Sequence, residues 1–367
     1  MGGNPESRED SSQPGAVGGR IVPLDGTSAE HLERMIRDMA DVPVFPAAGL
    51  KLLAAFRNPY YNARQLGEII SGDVGMSARV LRMANSAYYS IKNKVTTVNH
   101  AVTLLGVREM EQMAMNLCFM SVSPQESGGG DRFDPLGYTR HSMMVGKVAE
   151  YLSGVIVFQM LGRGEAYAAG LLHDVGMILL YRNRRAALSE ALTVAREKGL
   201  GYAQAELAVL QVSHAALGAW LAQMWNLPRN LCEAIAYHHS MPPETAIQPE
   251  LVALLKLSEA LAQRLEAATL AEILDDEPLD APTLRILGAR GLPADPRELV
   301  DVVYSRHEED FARLGREVEG MLSAASDTAP RRTVGDLQGR IEPERPPPTP
   351  DKDGGGLSRL KRWFGRQ

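Results

Sequence analysis

The chain has 367 residues, enough for one large or two medium domains with tails, and its 45% hydrophobic and 23% charged residues are those of a globular protein rather than a fibrous one. A formal net charge of −6 argues against a general nucleic-acid binder, so any basic patch must be local. The two cysteines, Cys118 and Cys232, sit in apolar helical contexts with neither metal-type nor disulfide-type spacing, and both are expected as reduced core residues of a cytoplasmic protein.

Residues 1–28 are rich in Gly, Ser and Pro, lack the apolar stretch of a secretory signal, and are expected to be disordered. No window holds the roughly 18 uninterrupted apolar residues of a membrane span. From Ala29 to about Leu265 the apolar residues recur at helical spacing, as in Leu66/Ile69/Ile70, Val80/Leu81/Ala84, Val145/Val148/Leu152 and Leu217/Leu221/Met224. Strand patterns are nearly absent, so the fold class is all-α. Turn chemistry punctuates the helices at Asn58-Pro59, Ser71-Gly72-Asp73, Gly106, Gly199-Leu200-Gly201 and Asn226-Leu227-Pro228. The segment Ser123–Gly130 divides this region into front and back sub-bundles, packed as one domain because each alone has a small core.

Asn85-Ser86-Ala87-Tyr88-Tyr89 is expected as a helix end, with Asn85 and Ser86 bonding the last carbonyls and the tyrosines packed; the competing reading is a binding surface. Trp220 and Trp225 are expected in the core. Residues 241–325 predict a helical C-terminal extension, and the dense charges of 266–325 suggest a peripheral surface that faces a partner. Pro346-Pro347-Pro348 and Gly354-Gly355-Gly356 mark residues 326–356 as a linker. The tail 357–367 is basic and amphipathic. Its Leu360, Lys361, Arg362, Trp363 and Phe364 suit weak contact with an anionic membrane surface or an acidic protein groove, unless it is simply disordered.

Five of the eight histidines fall between 141 and 239: His141, His173, His214, His238 and His239. With Asp174 they make a donor set suited to a divalent first-row metal such as iron, manganese or zinc. Adjacent residues in mid-helix diverge by ~100°. The His173-Asp174 and His238-His239 pairs therefore share a target only from helix ends, and both pairs lie where the apolar pattern breaks. His141 is expected to open an amphipathic helix. The competing reading of the whole set is a buried polar network that fixes helix packing. His31, His100 and His307 are assigned no role.

The order His141, His173-Asp174, His214, His238-His239 resembles the HD superfamily of metal-dependent phosphohydrolases. The segments VPVFPAAGLKLLAAFRNP, IISGDVGMSARVLRMANSAYYS, TTVNHAVTLLGVREM and SHAALGAWLAQMWNLPRNLCEAIAYHH narrow the resemblance, over residues 42–240, to the HDOD branch of bacterial signalling proteins. That resemblance implies an all-α fold and a non-catalytic binding or scaffold role, with a protein partner or a nucleotide second messenger as input. The alternative it implies is a phosphohydrolase acting on a nucleotide or cyclic dinucleotide. Three departures from the related cyclic-di-GMP phosphodiesterases weigh against hydrolysis. Met177 stands where those enzymes have lysine, Ser240-Met241-Pro242-Pro243 replaces their glycine-rich loop, and Glu259 is the nearest analogue of a late aspartate ligand.

Overall fold

Side-chain caps set several helix starts in the computed structural model, which describes residues 16–17, 20–21, 25–58, 60–124, 132–156, 161–240, 242–267 and 279–328. In the front half, Ser28 caps α1 (Ala29–Arg37), an Asn62/Gln65 capping box starts α3 (Ala63–Ser71), and Asp73 caps α4 (Val74–Ala84); α2 (Ala47–Phe56) follows Pro46. Thr97 caps α5 (Val98–Leu105), which gives way at Gly106, φ 86°, to α6 (Val107–Val122).

The back half begins with α7 (Pro135–Val155), capped by Asp134, and continues through α8 (Arg163–Leu172), α9 (Val175–Asn183), α10 (Arg185–Lys198) and α11 (Tyr202–Leu210). Then come α12 (His214–Met224), α13 (Arg229–Tyr237) and α14 (Pro249–Ala267). Three further helices follow: α15 (Ala281–Gly288), α16 (Pro296–Arg306) and α17 (Glu308–Thr328). Strand pairing among the described residues is confined to β1 (Ala16–Val17) and β2 (Arg20–Ile21), within the stretch expected to be disordered. Residues 25–28 are ordered too: Asp25 and Thr27 bond Ser213, and Ser28 N–H donates to Gln211 O.

One continuous apolar core joins the two halves. Leu52, Met76 and Phe119 of the front belong to the same buried cluster as Val148, Leu179 and Ile235 of the back, all without solvent exposure. Trp225 ties the halves at the surface of that core, stacking on Phe45 at 4.9 Å and donating through Nε1 to Pro43 O. Asn85 is the expected helix-end clamp: its Nδ2 donates to Leu81 O and Val95 O, and its Oδ1 accepts from Val95 N–H. Ser86 does not share that duty, since its hydroxyl finds no partner among the described residues.

The extension differs from expectation. Dense charge suggested a peripheral helix, yet Phe311, Val318 and Met321 of α17 are fully buried in the same core. Phe311, Leu314, Val318 and Met321 follow helical spacing, so the charges occupy only the outer face. Two ion pairs fasten α17 to α7, Arg140–Glu319 at 2.6 Å and Lys147–Glu317 at 2.9 Å, and Lys147 also donates to Gln112 Oε1. Gly320 rests on the Tyr88 ring so closely that a Cβ there collides with ring carbon. No single helix among the described residues is long and apolar enough to cross a membrane. Residues 326–328 of the expected linker complete α17, whereas 329–356 and the tail with Leu360, Lys361, Arg362, Trp363 and Phe364 lie outside the described residues.

Candidate metal centre

Helix ends and close helix crossings position the histidines. The His173-Asp174 pair occupies the break between α8 and α9, where His173 ends the first helix and Asp174 stands at the start of the second. An aspartate at that position ordinarily caps its helix. Asp174 makes no capping bond, and its carboxylate turns toward the histidines instead. His238 ends α13 in the same way, and His214 is the first residue of α12. His141 lies within α7, which begins six residues earlier at Pro135 rather than opening at the histidine.

Glycines let these helices touch through backbone. A Cβ on Gly176 of α9 collides with His214 O and falls 2.7 Å from Gly218 N, both on α12. A Cβ on Gly170 of α8 falls 2.6 Å from Gly146 N of α7. The first crossing brings Asp174 to His214, and the second brings His173 to His141.

All six residues converge. Asp174 Oδ2 lies 3.1 Å from His173 Nε2, while Oδ1 lies 3.2 Å from His214 Nε2 and 3.4 Å from His238 Nε2. His214 Nε2 is 3.2 Å from His238 Nε2 and 3.0 Å from His239 Nε2. Three overlapping sets of donor atoms each fall within 4.8 Å of one another: Asp174/His214/His238/His239, His141/His173/Asp174 and His173/His238/Glu259. Asp174 therefore faces two neighbouring positions at once.

Tautomers follow from the outer nitrogens. His173 Nδ1 sits 2.7 Å from Gly170 O and His238 Nδ1 2.6 Å from Ile235 O; a carbonyl only accepts, so both Nδ1 atoms carry the proton. In the neutral rings both Nε2 lone pairs then point into the cluster. Neither His173 Nε2 nor Asp174 Oδ1 has a partner of hydrogen-bond geometry, although both are buried. Converging lone pairs and an orphaned carboxylate oxygen repel one another unless a cation lies among them. The donor set fits a divalent metal.

Electrostatics point the same way. Burial alone would push Asp174 up, but the imidazoles of His173, His214 and His238 around it hold its carboxyl well below the usual range. Burial opposes protonation of His214, yet the Glu206 and Asp174 carboxylates outweigh it and raise His214 well above an ordinary histidine. His238 and His239 are lowered instead, by burial and by their histidine neighbours. Burial pushes Glu259 up to about 7. Burial would lower His141 as well, but Glu266, bonded at 2.8 Å, raises it to about 9.

Glu266 escapes the sequence reading, and Glu206, which the sequence places two helical turns before His214, is given no role by it. Glu206, on α11, accepts from both the N–H and Nδ1 of His214, and Glu266 holds His141 from 125 positions away. The Glu206–His214 spacing of eight suggests two turns of one helix, whereas the chain breaks at Gln211, φ 58°. No local pattern signals Glu266. Met177 is buried beside the pair, and Lys256 is bonded to Ser240 O and Asp280.

The HDOD domain family model matches residues 42–241, more than half of the chain. The chain belongs to the HDOD family. This HDOD chain is similar in structure to an HDOD domain protein of Geobacter sulfurreducens, with TM-score 0.62 and 20% identity, over 79% of this chain and 97% of that one. A protein of Marinobacter aquaeolei VT8, provisionally named for signal transduction, aligns with TM-score 0.63 and 21% identity over 83% of this chain and 66% of that one. A Shewanella amazonensis SB2B protein, provisionally named a phosphohydrolase, aligns with TM-score 0.54 and 24% identity over 81% and 98%. An uncharacterized protein of Treponema pallidum is 23% identical over 202 residues, and the HDOD chain spans 38% of that relative's length. These likenesses place the all-α fold among HDOD proteins.

Proposed function

We propose that this chain is a cytoplasmic bacterial signal-transduction module in which His141, His173, Asp174, His214, His238 and His239 hold a divalent metal, iron, manganese or zinc. It works by binding a protein partner rather than by hydrolysis. The observation that carries the metal is the convergence of buried Nε2 lone pairs on an Asp174 oxygen with no hydrogen-bond partner. A bound ion would act there as a Lewis acid and lower the pKa of a coordinated water. The chain's own residues orient the imidazoles through Gly170 O, Ile235 O, Glu206 and Glu266, and exclude water from His173, His214 and His238.

Catalysis on a phosphate ester also needs a cation for the substrate anion. Met177 supplies none, and the Lys256 ammonium is already committed to Asp280 and Ser240 O. These two residues favour binding over turnover. A nucleotide second messenger is the small-molecule input this reading allows. Leu360, Lys361, Arg362, Trp363 and Phe364 are its candidates for weak membrane-surface contact. The second reading, hydrolysis of a nucleotide or cyclic dinucleotide, is favoured by the complete His/Asp set and by the 16% exposure of the Asp174 side chain.

Elemental analysis of the purified full chain tests the metal. About one to two equivalents of iron, manganese or zinc are expected, and none in the His173→Ala/Asp174→Ala double variant. Equal metal content in the double variant, or no metal in the wild type after reconstitution, overturns the reading. Turnover of bis-(p-nitrophenyl) phosphate or a cyclic dinucleotide by the loaded wild type, lost in the double variant, establishes the second reading instead.

A further inference from the structure

We infer that Glu206 is a positioning residue for the metal reading above: its buried carboxylate holds His214 in the form that turns a strong Nε2 donor toward Asp174. The inference rests on that reading and adds a residue outside the donor set. Glu206 is 1% exposed. Its Oε2 takes both protons that His214 offers on its outer side, from the backbone N–H at 2.6 Å and from Nδ1 at 2.7 Å. Oε1 finds no partner among the described residues. A carboxylate kept so dry, with half its acceptor capacity unused, costs stability. Its two bonds go to one residue, His214.

The backbone is shaped to the same end. Between α11 and α12 the chain turns sharply at Gln211, a non-glycine residue in the left-handed region with φ 58° and ψ 16°. That conformation is disfavoured for an L-residue, whose Cβ crowds the following carbonyl oxygen. Ser28 N–H, donating to Gln211 O, and Thr27 and Asp25, bonded to Ser213, hold the turn from outside. The turn lays the first residue of α12 over a side chain eight positions earlier, so ring and backbone reach one oxygen together.

His214 thereby differs from its neighbours. His173 and His238 donate their outer protons to neutral backbone carbonyls, whereas His214 donates to a charged group. A carboxylate acceptor raises the basicity of the opposite nitrogen and locks the ring's rotation. Removing such a partner from a metal-bound histidine typically weakens affinity 10–100-fold. Glu206→Gln separates charge from shape, because the amide oxygen still accepts from Nδ1 while the negative charge is gone.

The full chain is titrated with Co²⁺ and Zn²⁺ against a competing chelator, alongside Glu206→Gln and Glu206→Ala, with urea midpoints on the metal-free proteins. Glu206→Gln is expected to weaken Co²⁺ about 10–100-fold and shift its visible absorption bands, at a nearly unchanged urea midpoint. Glu206→Ala should weaken it further. Equal affinity and identical bands in wild type and Glu206→Gln overturn the positioning role while leaving the metal reading intact. So does a Glu206→Ala protein that is less stable but binds Co²⁺ like wild type once folded. A wild type that takes up neither ion fails at the metal reading itself, and the role of Glu206 falls with it.

Discussion

His141 and His214 are the two imidazoles backed by carboxylates, and both are shifted toward the protonated form. For His141 the folded value of about 9 exceeds the unfolded value of about 6.5. A raised histidine contributes stability that is fully present below pH ~6.5 and is lost as pH rises through about 9. The displacement from 6.5 to about 9 corresponds to about 3 kcal/mol as an upper figure. Metal-free wild type should therefore lose stability between pH 6.5 and 9.5, and His141→Gln should lose less over the same interval. Urea midpoints measured across that range check it; parallel curves for the two proteins contradict the His141–Glu266 pair. Because a metal displaces the same proton, apparent metal affinity should rise over this interval.

Helices, rather than loops, carry the cluster, and the crossing of α9 over α12 sets its spacing. Gly176 makes that crossing a backbone contact, since any Cβ there runs into His214 O. No side-chain rotation relieves such a collision. Gly176→Ala must lift α9 from α12 and draw Asp174 away from His214, at a cost of about 3 kcal/mol or more. Urea denaturation and metal titration of Gly176→Ala test both halves of that statement. A change below about 0.5 kcal/mol with intact affinity would show that the crossing does not set the site. Gly170 against Gly146 plays the equivalent part for α8 and α7.

At the scale of the molecule, α17 closes the core across both halves through one buried cation. The Lys147 side chain is 4% exposed and meets Gln112 of α6 and Glu317 of α17. Removing one partner strands the other: Glu317→Gln strands the buried Lys147 ammonium, and Lys147→Met strands the Glu317 carboxylate. Glu317 is 30% exposed, so water softens the loss. Glu317→Gln should cost about 2 kcal/mol, and Lys147→Met less than that. Thermal or urea unfolding of the two variants decides it; a larger loss for Lys147→Met would mean that the stranded ammonium is not the dominant cost.

Apolar spacing and turn residues determined the all-α class, and both histidine pairs fall at helix ends, although Gly176, where a break was expected, lies inside α9. Those are local properties, written in neighbours a few positions apart. The six clustered residues were legible for the same reason: residue type and order are visible without a fold. Tertiary structure alone decided which of them share atoms within reach, because helix crossings hinge on backbone contacts between Gly146 and Gly170 and between Gly176 and Gly218. It also supplied Glu266 to His141 across 125 positions and turned Glu206 onto His214 through a left-handed residue that no periodicity foretells. The buried face of α17 was decided by the tertiary structure, since charge counts the outer face of a helix and burial is set by the stripe beneath it.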